Sequence, residues 1–129
     1  MTTSPRRLGD LHRVDHRPGM HTRRLIGEDD GVESFFIDEF RLEEGAEVPL
    51  HTHPVEEAWV VTDGSLTLQV GDDTVNVEAN SVVRIPPGVP HAVQNHGPDE
   101  VRAVAGAPWN RRTFFSEGTT YVSDEARTD

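Results

Sequence analysis

The chain has no cysteine, so disulfides, thiolate metal ligands and thiol nucleophiles are all excluded. It has no lysine either, since all 12 basic residues are arginine, and this removes Schiff-base chemistry and a lysine general base. Long apolar runs are also missing. The longest extend over a few residues, such as 58–61, whereas a membrane-spanning helix needs about 20, so no membrane partner is expected. The opening MTTSPRRLGD lacks the apolar stretch of a secretion signal, which makes the cytoplasm the expected compartment. Positive charge is scarce: the formal net charge is −11. Like charges repel, so a nucleic-acid phosphate backbone is not an expected partner. With thiols and amines absent, demanding chemistry falls to histidine, carboxylates, hydroxyls or a metal ion.

What is present suits one soluble globular domain. The 129 residues give room for a single core, and 34% hydrophobic against 27% charged residues is a globular balance. Residues 1–30 are polar and rich in Arg and His, and read as an N-terminal arm, partly flexible or exchanged as a strand (20–27) between subunits. Residues 31–116 carry short apolar-alternating runs broken by Gly, Pro and Asp. Residues 117–129 read as a polar tail that frays. Within the middle stretch, residues 34–42, 57–61, 65–70, 74–77, 81–85, 91–95 and 100–105 read as strands. Residues 65–70 alternate strictly, placing Leu66, Leu68 and Val70 on one face, and the turn at Gly71 closes a hairpin. No segment shows a helical period longer than about two turns. The fold-class expectation is all-β, a sandwich or closed barrel.

Of the 7 histidines, three fall in organised places. His51 and His53 stand two apart in PLHTHPVEE, so on a strand both imidazoles leave the same face. Pro54 turns the chain, and Glu57 opens the next strand with its carboxylate free to return to the same spot. Glu57 shares the odd parity of 51 and 53, whereas Glu56 is expected to face solvent. His91 follows the rigid PPGVP turn at the start of another strand. Three imidazoles and one carboxylate suit Fe, Mn, Ni, Co or Zn rather than Ca or Mg. Around an octahedral ion they leave positions open for water or substrate. His12, His16 and His21 in the arm, and His96 before Gly97-Pro98, are expected to be solvated.

Residues 45–64, GAEVPLHTHPVEEAWVVTDG, match the pattern G(X)5HXH(X)3E(X)6G at Gly45, His51, His53, Glu57 and Gly64. Residues 80–95, NSVVRIPPGVPHAVQN, match G(X)5PXG(X)2H(X)3N at Pro86, Gly88, His91 and Asn95. The leading Gly is replaced by Asn80, the residue best able to take the same left-handed turn. These are the two motifs of the cupins, and the chain resembles a small single-domain member of that superfamily.

The resemblance implies a cupin-type jelly-roll barrel (a double-stranded β-helix) over 31–116. It implies one divalent transition metal per chain (Fe, Mn, Ni or Zn), held by His51, His53, Glu57 and His91. It also implies a small-molecule substrate and a homodimer. Dioxygenase-type chemistry leads, with Glu57 able to serve also as the catalytic base. Isomerase, cyclase or lyase chemistry stays open, as do a non-catalytic ligand- or metal-binding role and a metal that only staples the fold. Candidate substrate-binding residues are Phe36, Phe40, Trp59, Arg84 and Arg102, together with Trp109. An arginine among them would anchor an anionic substrate. Tyr121, the single tyrosine, is a candidate acid, and Asn95 reads as a structural hydrogen-bonder.

Overall fold

A computed structural model describes residues 4–110, 114 and 118–122. Among the described residues, eleven strands form two antiparallel sheets, the two layers of a jelly roll. They are β1 (Arg13–Arg17), β2 (Met20–Ile26), β3 (Phe36–Leu42), β4 (Glu47–Thr52), β5 (Glu57–Asp63), β6 (Ser65–Val70), β7 (Asp73–Glu78), β8 (Ser81–Ile85), β9 (His91–Gln94), β10 (Val101–Ala107) and β11 (Thr120–Tyr121). The six-stranded sheet runs β1-β2-β3-β10-β5-β8 and the five-stranded sheet β11-β4-β9-β6-β7. No helix among the described residues is long and apolar enough to cross a membrane.

Alternation in the sequence becomes the inner face of each layer. β3 turns Phe36, Asp38, Phe40 and Leu42 inward, β5 turns Glu57, Trp59 and Val61, and β10 turns Val101, Ala103, Ala105 and Ala107. β10 lies between the other two, with Ala103 opposite Phe40 and Ala105 opposite Trp59. Its methyl side chains leave the space above the strand open, and Phe40 and Trp59 stack there with centroids 4.9 Å apart. Leu66 and Leu68 of β6 and Val93 of β9 close the core from the other layer. Val70, placed on the same face by its spacing, is only partly buried and packs at the edge.

The ends of the two motifs are tied together by backbone. Gly45 N–H donates to the Asn95 carbonyl and Asn95 N–H to the Ala46 carbonyl, at 2.8 and 3.0 Å. Gly88 N–H donates to the His53 carbonyl at 2.7 Å. Asn95 is buried, and its side-chain amide donates to the Leu42 and Asp99 carbonyls. Asn80 has φ 66°, so it does take the left-handed conformation of the glycine it replaces. Gly64 has φ 79°, and a Cβ there would lie 2.8 Å from the Glu100 carbonyl oxygen. Gly64→Ala is therefore expected to cost about 3 kcal/mol, backbone strain and overpacking together. A urea denaturation midpoint that does not move would contradict this crowding.

Parts of both end segments form strands. The arm contributes strands from Arg13 onward, and β2 pairs with β3 of its own chain, Met20 opposite Leu42 and Thr22 opposite Phe40. Met20 and Thr22 are buried, and this segment packs as part of the six-stranded sheet. β1, with three charged residues among its five, forms the sheet's edge, where charge discourages further pairing. Gly118 and Thr119 are buried, and β11 pairs with β4, Thr120 opposite Thr52 and Tyr121 opposite His51. The rest of the expected tail, residues 117 and 123–129, lies outside the described residues.

Candidate metal centre

β4 carries His51 at its end and runs antiparallel to β9, where His91 is the opposite residue. Between Val48 and His51 the pairing register shifts. Pro49, which has no N–H to give a ladder, stands in that irregularity. The carbonyl of Pro49 is thereby free for His51, whose Nδ1 lies 2.7 Å from it. His91 repeats the arrangement, with Nδ1 3.0 Å from the Val89 carbonyl. A carbonyl can only accept, so both imidazoles carry a proton on Nδ1 and leave Nε2 turned toward the site.

His53 reaches the same state by another route. Its Nδ1 lies 3.0 Å from Thr119 Oγ1. The Thr119 hydroxyl donates to the Phe114 carbonyl at 2.7 Å, which leaves Oγ1 to accept from the imidazole. The Phe114 ring stacks on the His53 ring, centroids 4.0 Å apart and planes at 26°. His51, His53 and His91 are all buried, and each offers a ring nitrogen such that the three lie within 4.8 Å of one another.

Glu57 opens β5 and points inward at 8% exposure, with Oε1 3.4 Å from His91 Nε2. Glu56 points outward and pairs with Arg84 at 2.6 Å. Burial pushes the Glu57 carboxyl up, but His91, His53 and the Trp59 indole together outweigh it and hold the group below its ordinary value. Trp59 Nε1 is buried and makes no well-formed hydrogen bond among the described residues, although it is near enough to favour the ionised carboxylate. Burial, reinforced by the neighbouring His91, lowers His51 from 6.5 to about 4. Burial also lowers His53 to about 4, against the pull of the Glu57 charge. Both rings are thus neutral near pH 7, the form that binds a metal.

The residues present fit a metal ion. His91 Nε2 is buried without a hydrogen-bond partner among the described residues, and it faces two other imidazoles and a carboxylate. A buried polar atom in that position is costly unless something occupies the space between the rings. Three converging imidazole nitrogens suit a divalent transition metal, and the Glu57 carboxylate stands beside one of them.

The other candidates separate clearly. Phe40 and Trp59 stack in the core, with Trp59 two residues along β5 from Glu57. Phe36 packs with Ala107, Phe114, Val55 and Trp109 in a second apolar cluster, one ring removed from His53. The two arginines lie on the outer face of their sheet. Arg84 lies opposite Ala58 on the outer face of β8, 63% exposed and paired with Glu56. Arg102 precedes the inward Ala103, so it too points outward, 54% exposed and beside Glu100. Strand parity places neither one inside. Tyr121 stands at the rim, its ring 5.6 Å from that of His51 and 5.3 Å from the Arg17 guanidinium carbon. His21 bridges Asp15 and Glu43, and His96 pairs with Gln94, both away from the site. His12 is exposed, and the side chain of His16 lies outside the described residues. Thr119 and Phe114 were not foreseen.

Comparison with known proteins agrees with this geometry. The family model for the cupin domain matches residues 38–105. The tetracenomycin polyketide synthase protein TcmJ of Streptomyces glaucescens is 30% identical over 91 residues, 69% of this chain and 61% of that protein. The chain thus spans less than two thirds of that relative's length. Among solved structures, the polyketide cyclase RemF from Streptomyces resistomycificus superposes with a TM-score of 0.81 at 23% identity, over 97% of this chain and 90% of that one. A variant of the Bacillus subtilis oxalate decarboxylase OxdC gives 0.76 at 20% identity, over 92% of this chain and 32% of that one. The same enzyme has Mn(II) centres. At these identities the two structures speak for the fold. With its family model matched over more than half its length and both histidine motifs in place, the chain belongs to the cupin family.

Proposed function

We propose that this cupin is a metal-dependent enzyme acting on a small organic substrate, with His51, His53, His91 and Glu57 as the ligands. The observation that carries the reading is the convergence of three buried imidazoles whose Nδ1 protons are already committed elsewhere, with His91 Nε2 forming no hydrogen bond among the described residues beyond a 3.4 Å approach to Glu57 Oε1. A divalent metal held there would supply a Lewis acid for substrate oxygens, or a redox centre if it is Fe, Mn or Ni. The chain's own part is to keep His51 and His53 neutral, fix their ring orientation, and hold an ionised carboxylate beside the reacting atoms. Glu57 serves as the fourth ligand or takes a proton from an acidic C–H next to a substrate carbonyl.

The names of two relatives favour ring closure on a polycarbonyl chain over the dioxygenase chemistry expected from the motifs: one is a polyketide synthase protein, the other a polyketide cyclase. The proposal also includes a homodimer in the cytoplasm. The dimer is supported by an apolar row across the outer face of the six-stranded sheet, where Val104, Val60 and Val82 lie side by side and Val82 is 70% exposed.

Elemental analysis of protein purified without a metal-chelating tag should find about one Fe, Mn, Ni or Zn per chain, as expected of a site with this donor set. Protein that stays metal-free after incubation with all four ions would refute the reading. Turnover of a polycarbonyl substrate at the same rate with and without dioxygen separates cyclisation from oxygenation. Stoichiometric oxygen uptake would restore the dioxygenase.

A further inference from the structure

The three imidazoles are not held alike. His51 and His91 each give their Nδ1 proton to the carbonyl two residues earlier, Pro49 and Val89, so their orientation is built into their own strands. His53 gives its proton to Thr119, 66 residues away in sequence. Thr119 is 8% exposed, and its hydroxyl is itself aimed by the Phe114 carbonyl. The Gly118 carbonyl favours the same proton on His53, and the Phe114 ring covers the imidazole face. A Cβ at Gly118 would come within 2.7 Å of the Trp109 ring and 3.0 Å of the Phe114 carbonyl oxygen, so the return of the chain over His53 is closely fitted. β11 then secures it by pairing with the strand that bears His51.

We propose that Thr119 is a positioning residue for the metal centre: it fixes the Nδ1–H tautomer and ring orientation of His53, so that seating of the C-terminal return and metal binding are linked. The inference rests on the metal reading above. The hydroxyl accepts from Nδ1 because its own proton is spent on Phe114, and that sequence of bonds leaves Nε2 as the lone pair turned toward His51 and His91. Linkage is reciprocal: whatever loosens Thr119 weakens the metal, and the metal holds the return in place.

The test uses tag-free, metal-stripped protein titrated with Zn2+ against a competing chelator. Thr119→Val keeps the shape and loses the acceptor. It is expected to weaken Zn2+ binding about 10-fold, the lower end for an outer partner of a metal-binding histidine, because the Gly118 carbonyl still faces the ring. Thr119→Ser keeps the acceptor and is expected to bind within about threefold of the unmodified protein, as rescue by a conserved hydrogen bond requires. Nitrogen-15 spectra of the unmodified metal-free protein should show His53 as the Nδ1–H tautomer, a measurement that does not depend on either variant folding. A His53 protonated on Nε2, or a folded Thr119→Val protein with unmodified Zn2+ affinity, overturns the proposal. Unmodified protein that binds no Zn2+, Mn2+, Fe2+ or Ni2+ overturns the metal reading itself, and this inference with it.

Discussion

Replacing His91 with alanine is expected to abolish the thermal stabilisation that a divalent metal gives the unmodified protein. With free metal at a thousandfold excess over Kd, a ligand that binds only the folded state adds about 4 kcal/mol of stability. For a domain of this size that corresponds to a rise in Tm of roughly 15 °C. Removing one of three imidazoles leaves two nitrogens and a carboxylate, and an affinity loss of about a thousandfold at the same free metal reduces the gain to roughly 0.4 kcal/mol, a shift of a degree or two. The metal-free comparison is the internal control. There the substitution forfeits packing of a ring that is 1% exposed and its 3.4 Å approach to Glu57, yet it also removes a buried nitrogen that makes no hydrogen bond among the described residues. A buried unsatisfied polar group costs about 1–3 kcal/mol, which offsets much of the packing loss. Scanning calorimetry should therefore find the two metal-free proteins far closer together than the two metal-loaded ones. An equal metal-induced rise in both would remove His91 from the ligand set.

The site was legible in the sequence where its geometry is local. His51 and His53 leave the same face because strand parity requires it, and parity also separates Glu57 from Glu56. The same rule was available for Arg102, since Val101, Ala103 and Ala105 alternate inward and leave it on the outer face. In β8 the run Ser81–Ile85 has no clean alternation, so the outward direction of Arg84 became visible only from its pairing with Ala58. The strand under His51 was read without its bounds for a different reason: Pro49 sits in the middle of β4, and the register shift that accommodates a proline there is a property of the pair β4–β9. Nothing local marks Thr119. A threonine in a polar tail acquires its role only when β11 lands on β4, and that pairing is decided by the closure of the whole layer. Reaction class is illegible for a further reason, since several chemistries run on one ligand set.

Acid is expected to destabilise the metal-free protein from about pH 6.5 downward, before the carboxylates begin to titrate. His51 and His53 protonate near 6.5 in the unfolded chain and at about 4 when folded. Between those values the unfolded chain holds more protons than the folded one, so stability falls as pH falls through the window. Above pH 6.5 the contribution is fully present, and below 4 it is exhausted. The interval corresponds to roughly 3 kcal/mol for one such histidine, and to roughly 5 kcal/mol for two that share a site. Set against the 5–15 kcal/mol typical of a domain, this loss brings the metal-free protein close to its unfolding midpoint at about pH 4–5. Glu57, held below its ordinary value, adds a loss of the same sign that begins only below 4.5. A bound metal requires neutral imidazoles and competes with protons for them, so saturating metal should move the acid transition to lower pH. Tm measured from pH 8 to 4, once with a chelator and once with metal in excess, separates the two curves. A metal-free Tm that stays level between pH 7 and 4.5 would mean that His51 and His53 are not buried as neutral rings, and the case for a preformed site on β4 would fall with it.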